Sequence, residues 1–221
     1  MKYLVFLSLI IFSGCTICAP RTFHVEDRSI MSSKRLELTR DYARIHYGRD
    51  SYEMECPRMI VIHYTAFPTA EESFDFMKPD ELSPVRDDIR AGGSVNVGSH
   101  YLVDRCGRIY ALLPEKVIAR HIVGFNHVAI GIENVGRGKD ELTDCQIEAD
   151  TWLIGKLVKR YPTIEYLIGH HEYMRKDLPH FLLFKEVGGA YKPTEKHDPG
   201  ASFMERLRKR VRDEYGIQLK N

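Results

Sequence analysis

The run Lys196-His197-Asp198-Pro199-Gly200 closes a long stretch that opens at Gly169-His170-His171-Glu172, and both ends are dense in groups that bind metal or move protons. Zinc takes imidazole and carboxylate ligands, and a catalytic site keeps three of them with the fourth position for water. His63, His170 and Asp198 are candidates for such a set. Each follows a strand-like run or a chain reversal, so three separate segments can converge on one ion. Hydrolysis at such a site also needs a base to take the proton of water and a cation to steady the oxyanion. Glu133 and Lys196 fit those two roles. In extended chain His170 and His171 point opposite ways, so at most one ligates, while Lys196 and Asp198 share a side with His197 turned away. Pro199 biases Asp198 toward that extended backbone. Taken singly, each residue has a blander reading: His63 as a core histidine on a backbone carbonyl, Glu133 as a surface acid beside Arg137, Lys196 as a solvated charge, Asp198 as a turn or cap residue.

The elements that must position these groups are legible from pattern. Met59-Ile60-Val61-Ile62 is a continuous apolar run, as a strand buried on both faces requires, and His63 ends it. Val128-Ala129-Ile130-Gly131-Ile132 is a second such strand with Glu133 at its end, and Tyr166-Leu167-Ile168 a third just before His170. Tyr101-Leu102-Val103 and Ile109-Tyr110-Ala111-Leu112-Leu113 form a hairpin with Gly107 in its turn. Thr69-Ala70-Glu71-Glu72 opens a helix with Phe74 and Met77 inward, stopped by Pro79. Thr143-Asp144-Cys145-Gln146 opens another, with Ile147, Ile154, Val158 and Tyr161 inward and Pro162 as its stop. Phe203, Leu207, Val211 and Tyr215 mark the inner side of a last helix whose basic outer face is solvated. Between Pro20 and Pro57 one helix is expected, with Leu38, Tyr42 and Ile45 on one face and Gly48 as its stop. The irregular stretch from Pro79 to Gly98 is placed at the rim of a cleft. Strands separated by capped helices, each ending in a polar residue, predict an α/β fold with the site at the strand ends.

Composition sets the outer bounds. A chain of 221 residues, 43% hydrophobic and 29% charged, is long enough for one substantial core. The 32 basic and 31 acidic residues nearly cancel, so no single-sign field points to nucleic acid, and a monomer is expected. Lys2 followed by the apolar run Tyr3 to Phe12 reads as a secretory leader, too short to span a bilayer unaided. Its end, Phe12-Ser13-Gly14-Cys15, resembles a bacterial lipobox, in which cleavage before Cys15 leaves a lipidated N-terminus. The alternative is a soluble secreted protein cut after Ala19. The expected organisation is a leader over residues 1–19, a tether and flanking helix over 20–57, and a catalytic domain over 58–216. With Cys15 lipidated, Cys18, Cys56, Cys106 and Cys145 remain, an even number in an oxidising compartment whose connectivity the sequence leaves open.

In order and local context, residues 58–203 resemble the zinc-dependent N-acetylmuramoyl-L-alanine amidases of the type 2 family, relatives of the peptidoglycan recognition proteins. The resemblance is carried by Val61-Ile62-His63-Tyr64-Thr65-Ala66, by the hairpin Ser99 to Tyr110, by Ala119-Arg120-His121 with Asn126, by Ile130-Gly131-Ile132-Glu133, by Gly169-His170, and by Lys196 with Asp198-Pro199-Gly200. It implies a mixed central β-sheet flanked by helices and a shallow zinc cleft. It also implies hydrolysis of the amide between N-acetylmuramic acid and L-alanine in peptidoglycan or muropeptides, for remodelling or recycling of the cell wall. By that resemblance one Zn²⁺ is held by His63, His170 and Asp198, Glu133 activates the water, Lys196 stabilises the oxyanion, and His121 and Asn126 are substrate contacts. The location implied is the bacterial envelope, periplasm or outer membrane, with the lipid on Cys15 as anchor. Two other functions compete: a non-catalytic peptidoglycan-binding module, which can lack the third ligand, and a structural lipoprotein, which leaves the His and Glu strand ends unexplained. Three departures stand out. Met174 to Thr194 is expected as an inserted loop over the cleft that narrows substrate choice. Arg120 stands where an aromatic is common and is expected to alter contacts with sugar or peptide, and Cys106 replaces a common Asp.

Overall fold

Met59–Tyr64 (β2) lies between two parallel neighbours, Ala129–Asn134 (β5) and Tyr166–Gly169 (β6), in a computed structural model that describes residues 22–189 and 193–221. The expected leader, with Cys15, lies outside the described residues. Met59 through Ile62 are fully buried, because both faces of this strand are covered. Tyr101–Val103 (β3) pairs parallel to β5 on its other side, and Ile109–Ala111 (β4) runs antiparallel to β3. Their turn is held by Asp104, whose Oδ1 accepts from the backbone of Cys106 (2.8 Å) and Arg108 (2.9 Å), with Gly107 at φ 81°. Val25–Asp27 (β1) closes the edge parallel to β4, giving one mixed sheet in the order β1-β4-β3-β5-β2-β6.

Within the stretch read as tether and flanking helix, Val25–Asp27 is thus an edge strand of the sheet. Three residues, Val-Glu-Asp, mostly exposed, carry no apolar alternation from which an edge strand is readable. Ser33–Tyr47 (α1) follows and ends at Gly48 in the left-handed region (φ 64°), as expected. Its inner face differs from the expected one. Arg35, Thr39, Tyr42, Ala43, His46 and Tyr47 are buried, while Leu38 is half-buried and Ile45 is 40% exposed. The reason is polar docking: the Arg35 guanidinium, 2% exposed, donates to the carbonyls of Met77 (2.7 Å) and Pro79 (2.5 Å). The ring nitrogens of His46 face the Glu186 carboxylate (2.7 Å) and the Gly92 carbonyl (2.7 Å). Apolar periodicity passes over both residues.

The remaining helices follow their caps. Ala70–Met77 (α2) starts where Thr69 Oγ1 accepts from the Glu72 backbone, and it buries Phe74 and Met77. The rim between it and β3 contains only a single short helical turn, Asp87–Arg90 (α3). Asp144–Arg160 (α4) has the reciprocal Thr143–Gln146 capping box. Ala201–Tyr215 (α5) packs on α4 through Phe203, Met204, Leu207 and Val211. Tyr215 stays 42% exposed, its ring lying over Gly155, where a Cβ would come within 2.8 Å. Arg208 of α5 donates to the Leu167 carbonyl (2.8 Å) and Glu172 (2.5 Å), which ties the end of β6.

The described part of the insertion, residues 174–189, packs on the sheet rather than over the cleft. Phe181 and Phe184 stack (centroids 5.1 Å apart), and Phe184 meets Phe125 edge-on in a cluster with Met59, Val61, Ile122 and Ile168. Apolar side chains on a polar loop drive it onto the sheet rather than across the opening. Backbone bonds from Lys185 to Gly124 (2.9 Å) and from Val187 to His46 (2.9 Å) fix it there. Among the described residues no helix is long and apolar enough to cross a membrane.

Candidate active site

Parallel register places the site. His63 on β2 is paired with Glu133 on β5, so both side chains leave the sheet on one face, and β6 ends opposite Ile62 just before His170. His170 begins a 3-10 turn, so His170 and His171 are not the extended pair assumed from sequence. His171 instead holds the next partner: its backbone N–H (2.9 Å) and Nδ1 (3.1 Å) both meet the Asp198 carbonyl oxygen. The Asp198–Pro199 bond is cis. The Asp198 carboxylate then completes a triangle: His63 Nδ1 to His170 Nδ1 3.0 Å, His63 Nδ1 to Asp198 Oδ2 3.1 Å, His170 Nδ1 to Asp198 Oδ2 3.0 Å. Ligands of tetrahedral zinc stand about 3.3 Å apart. The donor set therefore fits zinc, and among the described residues these three form the cluster able to hold a metal ion. Lys196 lines the same cavity, and His197 is exposed outside it.

A second ring of polar contacts orients the donors. His121 Nε2 faces the Ala129 carbonyl (3.2 Å) and must donate there, which leaves its Nδ1 to accept from His63 Nε2 (3.0 Å). The neutral His63 ring then directs its Nδ1 lone pair into the triangle. A Cβ at Gly131 would lie 2.7 Å from His121 Nδ1, so the bare backbone of β5 is what admits this ring. Asn126, 1% exposed, accepts on Oδ1 from the backbone of His121 (3.1 Å) and Ile122 (2.8 Å) and donates to Tyr42 Oη (2.9 Å). Both residues line the cavity, and the polar atoms of Asn126 hold the chain's own loop. Arg120, 5% exposed, donates to the carbonyls of Gly93 (2.9 Å), Val95 (2.7 Å) and Ile89. It braces the rim.

A family model described as N-acetylmuramoyl-L-alanine amidase matches residues 53–201. The chain belongs to that family. The endolysins of Escherichia phage T7 and Klebsiella phage KP32 are 32% and 30% identical to it over 97 residues, 41% of this chain. The chain spans 64% of the length of these curated relatives. The crystal structure of a selenomethionine derivative of AmpD is 23% identical, covers 71% of this chain and 86% of its own, and superposes with a TM-score of 0.51. That likeness concerns the fold, which matches the mixed sheet expected.

The cleft of this amidase-family chain is a cavity of ≈ 320 Å³ whose apolar walls include Phe67, Phe76, Ile89, Val97 and Ile122, with Arg86 also lining it. Among the described residues none from the insertion lines it. Ala66, directly after the His63 strand, is the described non-glycine residue held at positive φ (62°), a strained conformation on the cavity wall. Glu133 Oε2 is buried with no hydrogen-bond partner. Burial pushes its carboxyl up to about 7; His63 pulls it back and Asp198 adds to the rise. Burial also lowers His170 to about 4, helped by the charge of His63 and opposed by Asp198. On His63 burial acts downward but loses to Glu133 and Asp198, so this ring is the more basic. Burial would raise Asp198, but His170 and His63 outweigh it and keep it ionised. Three donors converging at 3 Å favour positive charge at their centre, which a bound metal ion would supply.

Of the predicted site residues, the fold brings His63, Glu133, His170, Lys196 and Asp198 to one cavity, with His121 behind His63. The roles of His171, Gly131 and Tyr42 had no signal in sequence, since each acts through a contact between distant segments. If His121 orients the ligand, His121→Phe should fold but bind Zn²⁺ about 10–100-fold more weakly in a chelator-competition titration. Unchanged affinity would remove His121 from that role.

Proposed function

We propose that this chain hydrolyses the amide between the lactyl group of N-acetylmuramic acid and the L-alanine of the stem peptide, in peptidoglycan or muropeptides, with one zinc ion held by His63, His170 and Asp198. The observation that carries the proposal is the donor triangle set beside an unpartnered Glu133 carboxylate, in a cleft of the amidase family. The endolysin relatives are consistent with a cell-wall substrate. When bound, zinc supplies Lewis-acid polarisation of the scissile carbonyl and acidifies water toward a pKa of about 7.

Glu133 Oε2 takes the proton of the attacking water as its oxygen adds to the carbonyl carbon. Burial raises the Glu133 carboxyl above the usual carboxylate range, which makes it the better base. Lys196, which lines the same cavity, is the cation that steadies the oxygen on which negative charge develops. The proton on Glu133 then passes to the amide nitrogen as the C–N bond breaks, leaving a lactyl carboxylate and a peptide with a free L-alanine amine. The setting we propose is the bacterial envelope, reached by the leader and anchored by lipid on Cys15, where the activity serves wall remodelling or recycling.

Purified protein should contain about one zinc per chain, lost in His63→Ala, and a chelator should abolish release of stem peptides from sacculi. Mass spectrometry of products from defined muropeptides fixes the bond cut; cleavage that persists without metal would sink the mechanism. Glu133→Gln should keep its zinc and lose about 10²–10⁴-fold in kcat, and full turnover in that variant would exclude Glu133 as the base. Labelled fatty acid should enter the wild-type protein in cells but not Cys15→Ser, whereas equal labelling of both rules out the anchor.

A further inference from the structure

Behind the site, on the other face of β5, sits a carboxyl that the proposed reaction does not use. Asp150, in the middle of α4, is fully buried, as is Asn134, the residue after Glu133. Asn134 Nδ2 donates to Asp150 Oδ2 (2.9 Å). The other oxygen of each group, Asn134 Oδ1 and Asp150 Oδ1, is buried without a partner. Two unpaired acceptor oxygens on a joined carboxamide and carboxylate are costly in an apolar layer. A proton on Asp150 satisfies both at once.

We propose that Asp150 is held as a neutral carboxylic acid that donates from Oδ1 to Asn134 Oδ1, closing a two-bond pair that fixes the end of β5 and so positions Glu133. The surroundings agree. On α5, Arg206 pairs with Asp144, Arg208 with Glu172, Lys209 with Asp213, and Arg210 with Glu148 (3.2 Å) and Glu214 (2.5 Å), while Glu205 and Arg212 are exposed; on β3, Tyr101 pairs with Glu115. Tyr64 of β2, opposite Asn134 in register, interacts with Asp198 and Lys139, and Glu133 itself lies on the cleft face. Burial pushes the Asp150 carboxyl up to about 8, with the Asn134 bond the only opposing influence. One turn earlier on α4, Gln146 donates from Nε2 to the carbonyls of Val135 (2.9 Å) and Val103 (3.3 Å). Gln146 and Asp150 together form a buried polar stripe that grips the strand ends. Asp150 is a positioning residue, and its catalytic consequence rests on the role proposed for Glu133.

The sign of the linkage follows from the raised value. Stabilisation by Asp150 is complete below its unfolded pKa of about 3.9 and is lost as pH rises toward about 8. Asp150→Asn preserves the pair, because its amide donates to Asn134 Oδ1, and it carries no proton to lose. Denaturation of the full chain should therefore give a wild-type folding constant that falls about tenfold per pH unit relative to Asp150→Asn between roughly pH 4 and 8. A ratio independent of pH, or one rising with pH, would overturn the neutral acid. In the amidase assay Asp150→Asn should keep kcat within about threefold, while Asp150→Ala should lose about tenfold or more in kcat with KM unmoved. The exchanged pair Asn134→Asp with Asp150→Asn, which keeps one acid and one amide in contact, should likewise keep kcat within about threefold. An unchanged kcat in Asp150→Ala, or a tenfold loss in the exchanged pair, would overturn the positioning role. If wild type releases no stem peptide, the function proposed above has failed while the pH arm still decides the pair.

Discussion

The structure depends on one pairing: β2 hydrogen-bonded in parallel to β5 and β6, with His63 opposite Glu133 and Ile62 opposite Gly169. Parallel strands with both faces covered bury almost every side chain, so polar groups are tolerated only where the strands end. That rule gathers a histidine, a carboxyl and a second histidine at one edge without any of them being adjacent in sequence. A slip of one residue would turn His63 to the opposite face and leave the cluster without its first donor.

The cluster also imposes a demand on its surroundings. Lone pairs and a carboxylate oxygen brought to within about 3 Å repel unless a cation or proton lies between them. The fold meets this by orienting each donor from behind. His121 receives the Nε2 proton of His63, and His171 holds the Asp198 backbone. Around them Gly131 leaves room and Asn126 ties the His121 loop to Tyr42. A site of this kind tolerates little drift, which explains why so many buried polar atoms near it have partners within the chain.

The cleft walls are held by charged groups working as structural ties. Arg35 gathers the carbonyls after α2, Arg120 those of the rim loop, and His46 stands between Glu186 of the insertion and Gly92 of the rim. The described part of the insertion is therefore joined to the wall of the cleft. Its aromatic residues seat it on the β2–β6 side of the sheet, and Glu186 couples it to the helix that forms the cavity's Tyr42 side.

The sequence alone determined the strands β2, β5 and β6, the capped helices and the polar residue at each strand end. These are local consequences of apolar runs, periodicity and capping chemistry, each written within a dozen or so residues. It also made candidates of all five groups in the cleft, and their order in the chain carried the family resemblance. Only the tertiary structure decided that His170 rather than His171 turns inward, that β1 belongs to the sheet, and that the described part of the insertion packs beside the cleft. It also turned Arg35, Arg120 and His46, polar residues invisible to an apolar pattern, into ties between remote segments. The division has a physical cause. Secondary structure answers to neighbours along the chain, whereas a tautomer, a buried ion pair or a ligand triangle answers to groups that meet only once the sheet has formed.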